Sequence, residues 1–243
     1  MNPLLIQGQL QGPFSRRTVG QLSAALILFA YQQAHALSLA DISSAQANSS
    51  IKSLLEQGSL KAVLQLGRTD GFLGNEQVRI GLPGHLEEAS KLLRQLGQGR
   101  KLDELVTAMN RGAEQAVPFA KNLLVGAARS MNAVDAKNIL TGGNTSVTDF
   151  FAGKTREPLT RQFLPIVTRA TAKAQLADKY NHFAGKAQRW GLVQEEDGTI
   201  QNYVTRKTLD GLYLVIGQQE QLLRANPAKA SSDLLRKVLG SLR

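Results

Sequence analysis

The sequence predicts an all-α protein, a single multi-helix domain of about eight to ten helices with one irregular extended segment near residues 68–84. Three observations carry that prediction. Apolar residues recur at intervals of three and four through almost the whole chain beyond residue 50. Glycine, asparagine and proline stand where those stripes stop. No fixed-period repeat or low-complexity linker interrupts the short connections, so nothing divides the helices into separate domains.

The chain opens with a segment of another kind. Among its 243 residues no acid precedes Asp41, and Arg16 and Arg17 lead into the apolar run Leu22–Tyr31 and then Ala34-His35-Ala36. A basic n-region, a short apolar stretch and a small-x-small site make residues 1–36 a signal peptide, cleaved after Ala36, with residues 37–243 as the helical domain. The run is shorter than the roughly 20 residues that span a bilayer core. Ser15-Arg16-Arg17-Thr18-Val19 faintly resembles a twin-arginine signal, although Gly20-Gln21 departs from its usual continuation. A transit peptide leading to an organelle lumen is the alternative, since such segments are also Arg-containing and poor in acids. No later stretch reaches transmembrane length, so the expectation is a soluble mature chain in the periplasm.

In the mature chain, Ser49 or Ser50 is expected to cap a helix carrying Ile51, Leu54, Leu55, Ala62, Val63 and Leu66. Gly67 is its stop, and Gly58 a place where it could split. Residues 68–84 are broken by Gly71, Gly74, Gly81, Pro83 and Gly84, while Val78, Ile80 and Leu82 alternate with Arg79 and Gly81 like an extended segment. Leu86, Ala89, Leu93 and Leu96 define the next helix, ended by Gly97. Another carries Leu102, Leu105, Val106, Met109, Ala113 and Ala116, with Pro118 marking a first turn or kink before Leu124, Ala128 and Met131. A short helix spans Asp135 to Leu140, and Ser146 with Asp149 is expected to cap a helix through Phe150 and Phe151. After Pro158 come Leu159, Phe163, Ile166, Val167 and Ala170, with a kink at Pro165. Leu176, Tyr180, Phe183, Ala187 and Trp190 form a further stripe. Thr199 opens a long helix running to Arg224 before Asn226-Pro227, and Leu234, Leu235, Val238 and Leu242 form a last amphipathic helix.

Composition excludes more than it names. Apolar residues at 42% supply a core, and zero cysteines exclude disulfides, thiolate metal sites and thiol nucleophiles. Three histidines, His35, His85 and His182, show no metal-ligand spacing, so neither a metal nor a cofactor is implied. The chain carries 29 basic against 19 acidic residues; loss of residues 1–36 removes two arginines and leaves +8 over 207 residues. An exported basic protein meets anionic lipid headgroups or other envelope polyanions, which argues against nucleic acid as its partner.

Several polar residues interrupt the apolar pattern. Gly153-Lys154-Thr155 looks like the tail of a phosphate loop, but Thr148 stands where the earlier glycine is required. Gly142 and Gly143 lie between two helices, either as a helix stop and cap or as an anion nest at the Ser146 helix. Asn110 lies near an apolar stripe, and Arg111 and Glu114 are neighbours one turn apart. They read as a bond fixing helix register or as a ligand-facing cluster. Asp210 sits in an almost wholly apolar run, where burial demands a partner; Lys207 and Arg206 are within reach and Tyr203 lies on the same face. Gly211 suggests close helix approach. An internal apolar cavity receiving Asp210, Tyr203 or Asn110 would favour lipid binding or catalysis. Mutual satisfaction in a packed core would favour a structural role.

The punctuating motifs form an ordered set. They are Asp70-Gly71-Phe72-Leu73-Gly74-Asn75, Val78-Arg79-Ile80-Gly81-Leu82-Pro83, Ala108-Met109-Asn110-Arg111, Asp135-Ala136-Lys137-Asn138-Ile139-Leu140-Thr141-Gly142-Gly143, Lys179-Tyr180-Asn181, Leu209-Asp210-Gly211-Leu212 and Arg224-Ala225-Asn226-Pro227. Together they resemble the bacterial domain of unknown function 4197 family over roughly Leu37 to Leu242, with Gly81 standing where that family's segment would have proline. The resemblance implies an exported helical protein and supplies no activity or catalytic residue.

The expectation is therefore an exported envelope protein, a binding or structural module contacting an anionic lipid, polymer or protein. Competing readings are a periplasmic hydrolase or transferase using carboxylate, Tyr or Lys groups, or a basic nucleic-acid-binding protein if the chain is not exported. No catalytic residue is identified. The ligand-binding candidates are Asn110, Arg111, Glu114, Gly142, Gly143, Tyr203, Lys207 and Asp210.

Overall fold

The structure is a computed structural model that describes residues 44–143, 146–174, 176–178, 180–182 and 198–226. Seven α-helices hold them: α1 (Ser44–Leu66), α2 (Gly84–Gln95), α3 (Gly99–Ala116), α4 (Lys121–Arg129), α5 (Ala133–Thr141), α6 (Ser146–Thr171) and α7 (Ile200–Ala225). A 3-10 turn, Val117–Ala120, joins α3 to α4, with Pro118 in its first turn. Residues 176–178 and 180–182 are also helical. The fold is all-α, with no strand among the described residues. Residues 1–36, expected to be a signal peptide, the stripe positions Phe183, Ala187 and Trp190, and the last expected amphipathic helix lie outside the described residues.

The core forms where α6 crosses α3 and α7, and where α1 packs on α4 and α7. Ile51, Leu54, Leu55 and Leu66 of α1, Leu102, Leu105 and Met109 of α3, and Phe151, Leu159 and Phe163 of α6 are almost fully buried. Close approach of α3 to α6 depends on Gly112, where a Cβ would stand 3.1 Å from that of Ala170.

Three local expectations are corrected. First, α1 already includes Ser44, so neither Ser49 nor Ser50 is its cap; Ser50 is buried within the helix. Gly58 does not split it. Second, the helix through Phe151 and the one after Pro158 are a single 26-residue helix, α6, containing both Pro158 and Pro165. Each interior proline costs about 3 kcal/mol. Burial of Val147, Phe151, Leu159, Phe163 and Val167 along one continuous face, at about 1.5–3 kcal/mol each, outweighs that penalty. Third, the Ser146 hydroxyl donates to Ile139 O. The reciprocal capping box stands at α5 instead: Asn132 Oδ1 accepts from Asp135 N, and Asp135 Oδ2 from Asn132 N.

Candidate functional site

Residues 67–83 connect α1 to α2 and form the wall from which the site is built. Gly67 ends α1, donating its N–H to Val63 O, and Asp70 turns the chain at φ 62°. Gly71 is required by close approach: a Cβ there would sit 2.4 Å from Leu66 O. Phe72 is fully buried, and Val78 and Ile80 point inward between exposed Arg79 and Gly81. Val78 still belongs to a turn, in which Asn75 O accepts from Val78 N and Arg79 N, and residues 79–83 run without regular secondary structure, so the alternation marks buried positions rather than a strand.

Helix α3 supplies what a neighbouring strand would supply. Asn110 Oδ1 accepts from Ile80 N at 2.9 Å, and Asn110 Nδ2 donates to Ile80 O at 2.9 Å and to Val106 O at 2.8 Å. One turn further on, buried Glu114 Oε1 accepts from Phe72 N and Leu73 N, both at 3.1 Å. Arg111 bridges Glu114 Oε2 at 2.6 Å and Asp70 Oδ1 at 2.8 Å. Those two carboxylates hold its guanidinium above the ordinary arginine range. Asn110 and Glu114 therefore grip the backbone of the segment at Phe72, Leu73 and Ile80, while Arg111 holds the Asp70 carboxylate.

The opposite side of the segment faces α7. Tyr203, Lys207, Asp210 and Leu214 recur on that helix at intervals of four, three and four, and with Gln77, Arg79 and Gly81 they line an open cleft of about 210 Å³. The Tyr203 hydroxyl donates to Gly81 O at 3.3 Å, tying the walls together. At the base, a Cβ on Gly211 would lie 3.0 Å from the Phe72 ring and 3.2 Å from Val78 Cβ. Asp210 departs from expectation. Its side chain is 43% exposed, and its partners are Arg156 of α6 at 3.0 Å and Arg206 at 3.6 Å. The apolar run around it belongs to the buried face of α7, whereas position 210 falls at that face's edge, beside Leu214.

Aromatic rings organise the cations. The Arg156 guanidinium lies 5.1 Å from the Tyr213 ring centre, while Arg206 and Lys207 lie 5.7 and 5.9 Å from that of Tyr203. Tyr213 is buried, with its hydroxyl 3.0 Å from that of Thr155; Thr155 donates to Phe151 O, so Tyr213 is the donor. Burial pushes the Tyr213 phenol upward, more strongly than Thr155 and Arg156 pull it down. Arg156, the cleft partner that sequence reading missed, reaches Asp210 from 54 positions away on another helix.

A second open cleft, about 310 Å³, lies across the segment from the first, between Arg79, Gly81 and Leu82 and helices α2 and α3. The Arg94–Asp103 ion pair, 2.7 Å long, lines it. Gly142 and Gly143 stand apart from both clefts, at the α5–α6 turn, where a Cβ on Gly142 would meet Asn138 O and Ser146 Cβ at 2.5 Å. Among the described residues, no group of three potential metal ligands occurs, and no helix is long and apolar enough to cross a membrane.

No curated protein and no solved structure matches the chain. One family model does: that described as Protein of unknown function (DUF4197) matches residues 41–240, spanning every motif from the Asp70 turn to Asn226-Pro227, and the chain belongs to that family.

Proposed function

We propose that this is an exported binding protein of the cell envelope that holds an anionic component in the cleft between residues 77–81 and α7. One observation carries the reading: Arg79 and Lys207 line the cleft with Asp210 as the one carboxylate in its lining, and that carboxylate is already paired with Arg156 and Arg206. Among the described residues no acid lies within ion-pair distance of Arg79 or Lys207, although Arg79 also lines the second cleft with Glu87 and Asp103. The cleft lining thus carries two cations against one carboxylate that is already paired, an excess of positive charge of the kind an anion site requires. The leader-like residues 1–36 and the net +8 of the remaining chain support an envelope location.

The test is gentle purification from a cell envelope fraction, followed by native mass spectrometry and sequencing of the mature N-terminus. The expected result is a chain beginning at Leu37 that retains an acidic species, released as salt rises. A cytosolic chain beginning at Met1, or an envelope protein retaining nothing acidic, would overturn it.

A further inference from the structure

This inference rests on the reading of the α7 cleft as an anion site and specifies what that site receives. We propose that the group bound there is a phosphate ester, held by Arg79 from the segment wall and Lys207 from the α7 wall, with its carbon substituent over Leu214.

Size sets the first limit. A cleft of about 210 Å³ falls below the roughly 300–1,000 Å³ of sites that enclose a drug-sized molecule. It accommodates a headgroup or a small ester with the remainder outside. The cations set the second. Arg79 presents a planar fork of donors and Lys207 a compact charge, and they approach from different walls. A tetrahedral phosphate offers oxygens toward both, whereas a planar carboxylate matches one fork at a time.

The walls are fixed before any ligand arrives. Arg79 N donates to Asn75 O at 2.8 Å, and its neighbours Val78 and Ile80 are buried, with Ile80 clamped by Asn110. Tyr203 anchors Gly81 through its hydroxyl and lies beneath Lys207 with its ring. Asp210 has one oxygen toward Arg156 and the other toward Arg206, so its charge is spent on them. Leu214, 43% exposed, supplies the apolar surface on which the ester's carbon chain rests.

Titration calorimetry of the mature protein with sn-glycerol 3-phosphate, inorganic phosphate and acetate tests the site. Sedimentation with phosphatidylglycerol or phosphatidylcholine vesicles identifies the source of the phosphate. Glycerol 3-phosphate is expected to bind more tightly than acetate, with Arg79→Ala and Lys207→Ala each weakening it about tenfold. Arg79 is exposed, so its loss leaves the fold intact. Asp210→Asn removes the competing negative charge from the cleft lining, and it is expected to tighten binding about threefold. Leu214→Ser weakens the glycerol ester but not inorganic phosphate.

Selective sedimentation with phosphatidylglycerol, relieved by glycerol 3-phosphate, marks a lipid headgroup; binding of the soluble ester alone marks a free metabolite. Acetate binding as tightly as the ester, or unchanged affinity in both cation variants, would overturn the phosphate site. If the protein still retained an acidic species in native mass spectrometry, the broader reading would survive; a protein retaining none fails both.

Discussion

Helices α3 and α7 hold the same short segment from opposite sides, and they do so with similar residue types to opposite effect. On the α3 side, Asn110 and Glu114 are buried, and each oxygen or amide contact on them ends on a backbone group or on Arg111. On the α7 side, Asp210 is half exposed, and the surrounding cations outnumber it. Burial separates the two. A polar group removed from water must be fully satisfied, which exhausts its capacity to meet a ligand. A polar group at a cleft edge can remain partly committed, and the surplus is available for binding.

The largest effect expected from breaking this asymmetry lies at Glu114. Replacement by Ala strands the buried Phe72 N–H and the half-buried Leu73 N–H and removes one of the two acids facing Arg111. The expected loss is about 3–4 kcal/mol in urea unfolding, because hydrogen bonds to a charged acceptor are worth about 1.5–3 kcal/mol each. Glu114→Gln keeps an acceptor for the two N–H groups and should lose about half as much. Equal losses in the two variants would show that the ion pair, not the loop grip, dominates. Asn110→Ala comes next, at about 2–3 kcal/mol, since both backbone groups of buried Ile80 lose their partner. A loss under about 0.5 kcal/mol would mean that the segment is held by Val78 and Ile80 packing alone.

The helical framework was legible because its cause is periodic: the stripes of α1, α3 and α7 are written in residue order. What sequence could not supply was any partner distant along the chain. Asn110 and Glu114 bond to backbone atoms 30 to 42 positions away, and a backbone group leaves no letter in the sequence. The α1 start was misread because Ser50 is a good cap by type yet sits on the buried face. The prolines of α6 were read as boundaries because their cost is local, whereas the apolar face that overrides it runs from Val147 to Val167. Asp210 was read as buried from the density of apolar letters around it. The spacing Tyr203, Lys207, Asp210, Leu214 was the available signal, for it places all four along one helix edge.

Tyr213 ties the two regions' logic together, since its hydroxyl is buried while its ring carries Arg156 of the exposed cluster. Tyr213→Phe removes the bond to Thr155 and should cost about 1 kcal/mol at neutral pH. In the intact protein its phenol is raised by burial, so the folded state keeps the proton longer than the unfolded chain does. The resulting stability is complete below the ordinary phenol pKa of about 10 and declines as pH rises past that value. Absorbance titration should show a late tyrosine that Tyr213→Phe abolishes; its persistence in that variant would reassign it.

Asp210→Asn is the smallest expected change in stability and the sharpest test of the comparison. The carboxylate and Arg156 are 43% and 42% exposed, and the Arg206 contact is long at 3.6 Å, so water screens both pairs. The variant should lose no more than about 1 kcal/mol in the urea unfolding used for Glu114 and Asn110. A loss matching that of Asn110→Ala would make Asp210 a structural clamp like those on α3, and its cations would then belong to the fold. A near-neutral result would leave the charge at this edge free to serve binding, because only groups that the fold does not depend on can exchange one partner for another.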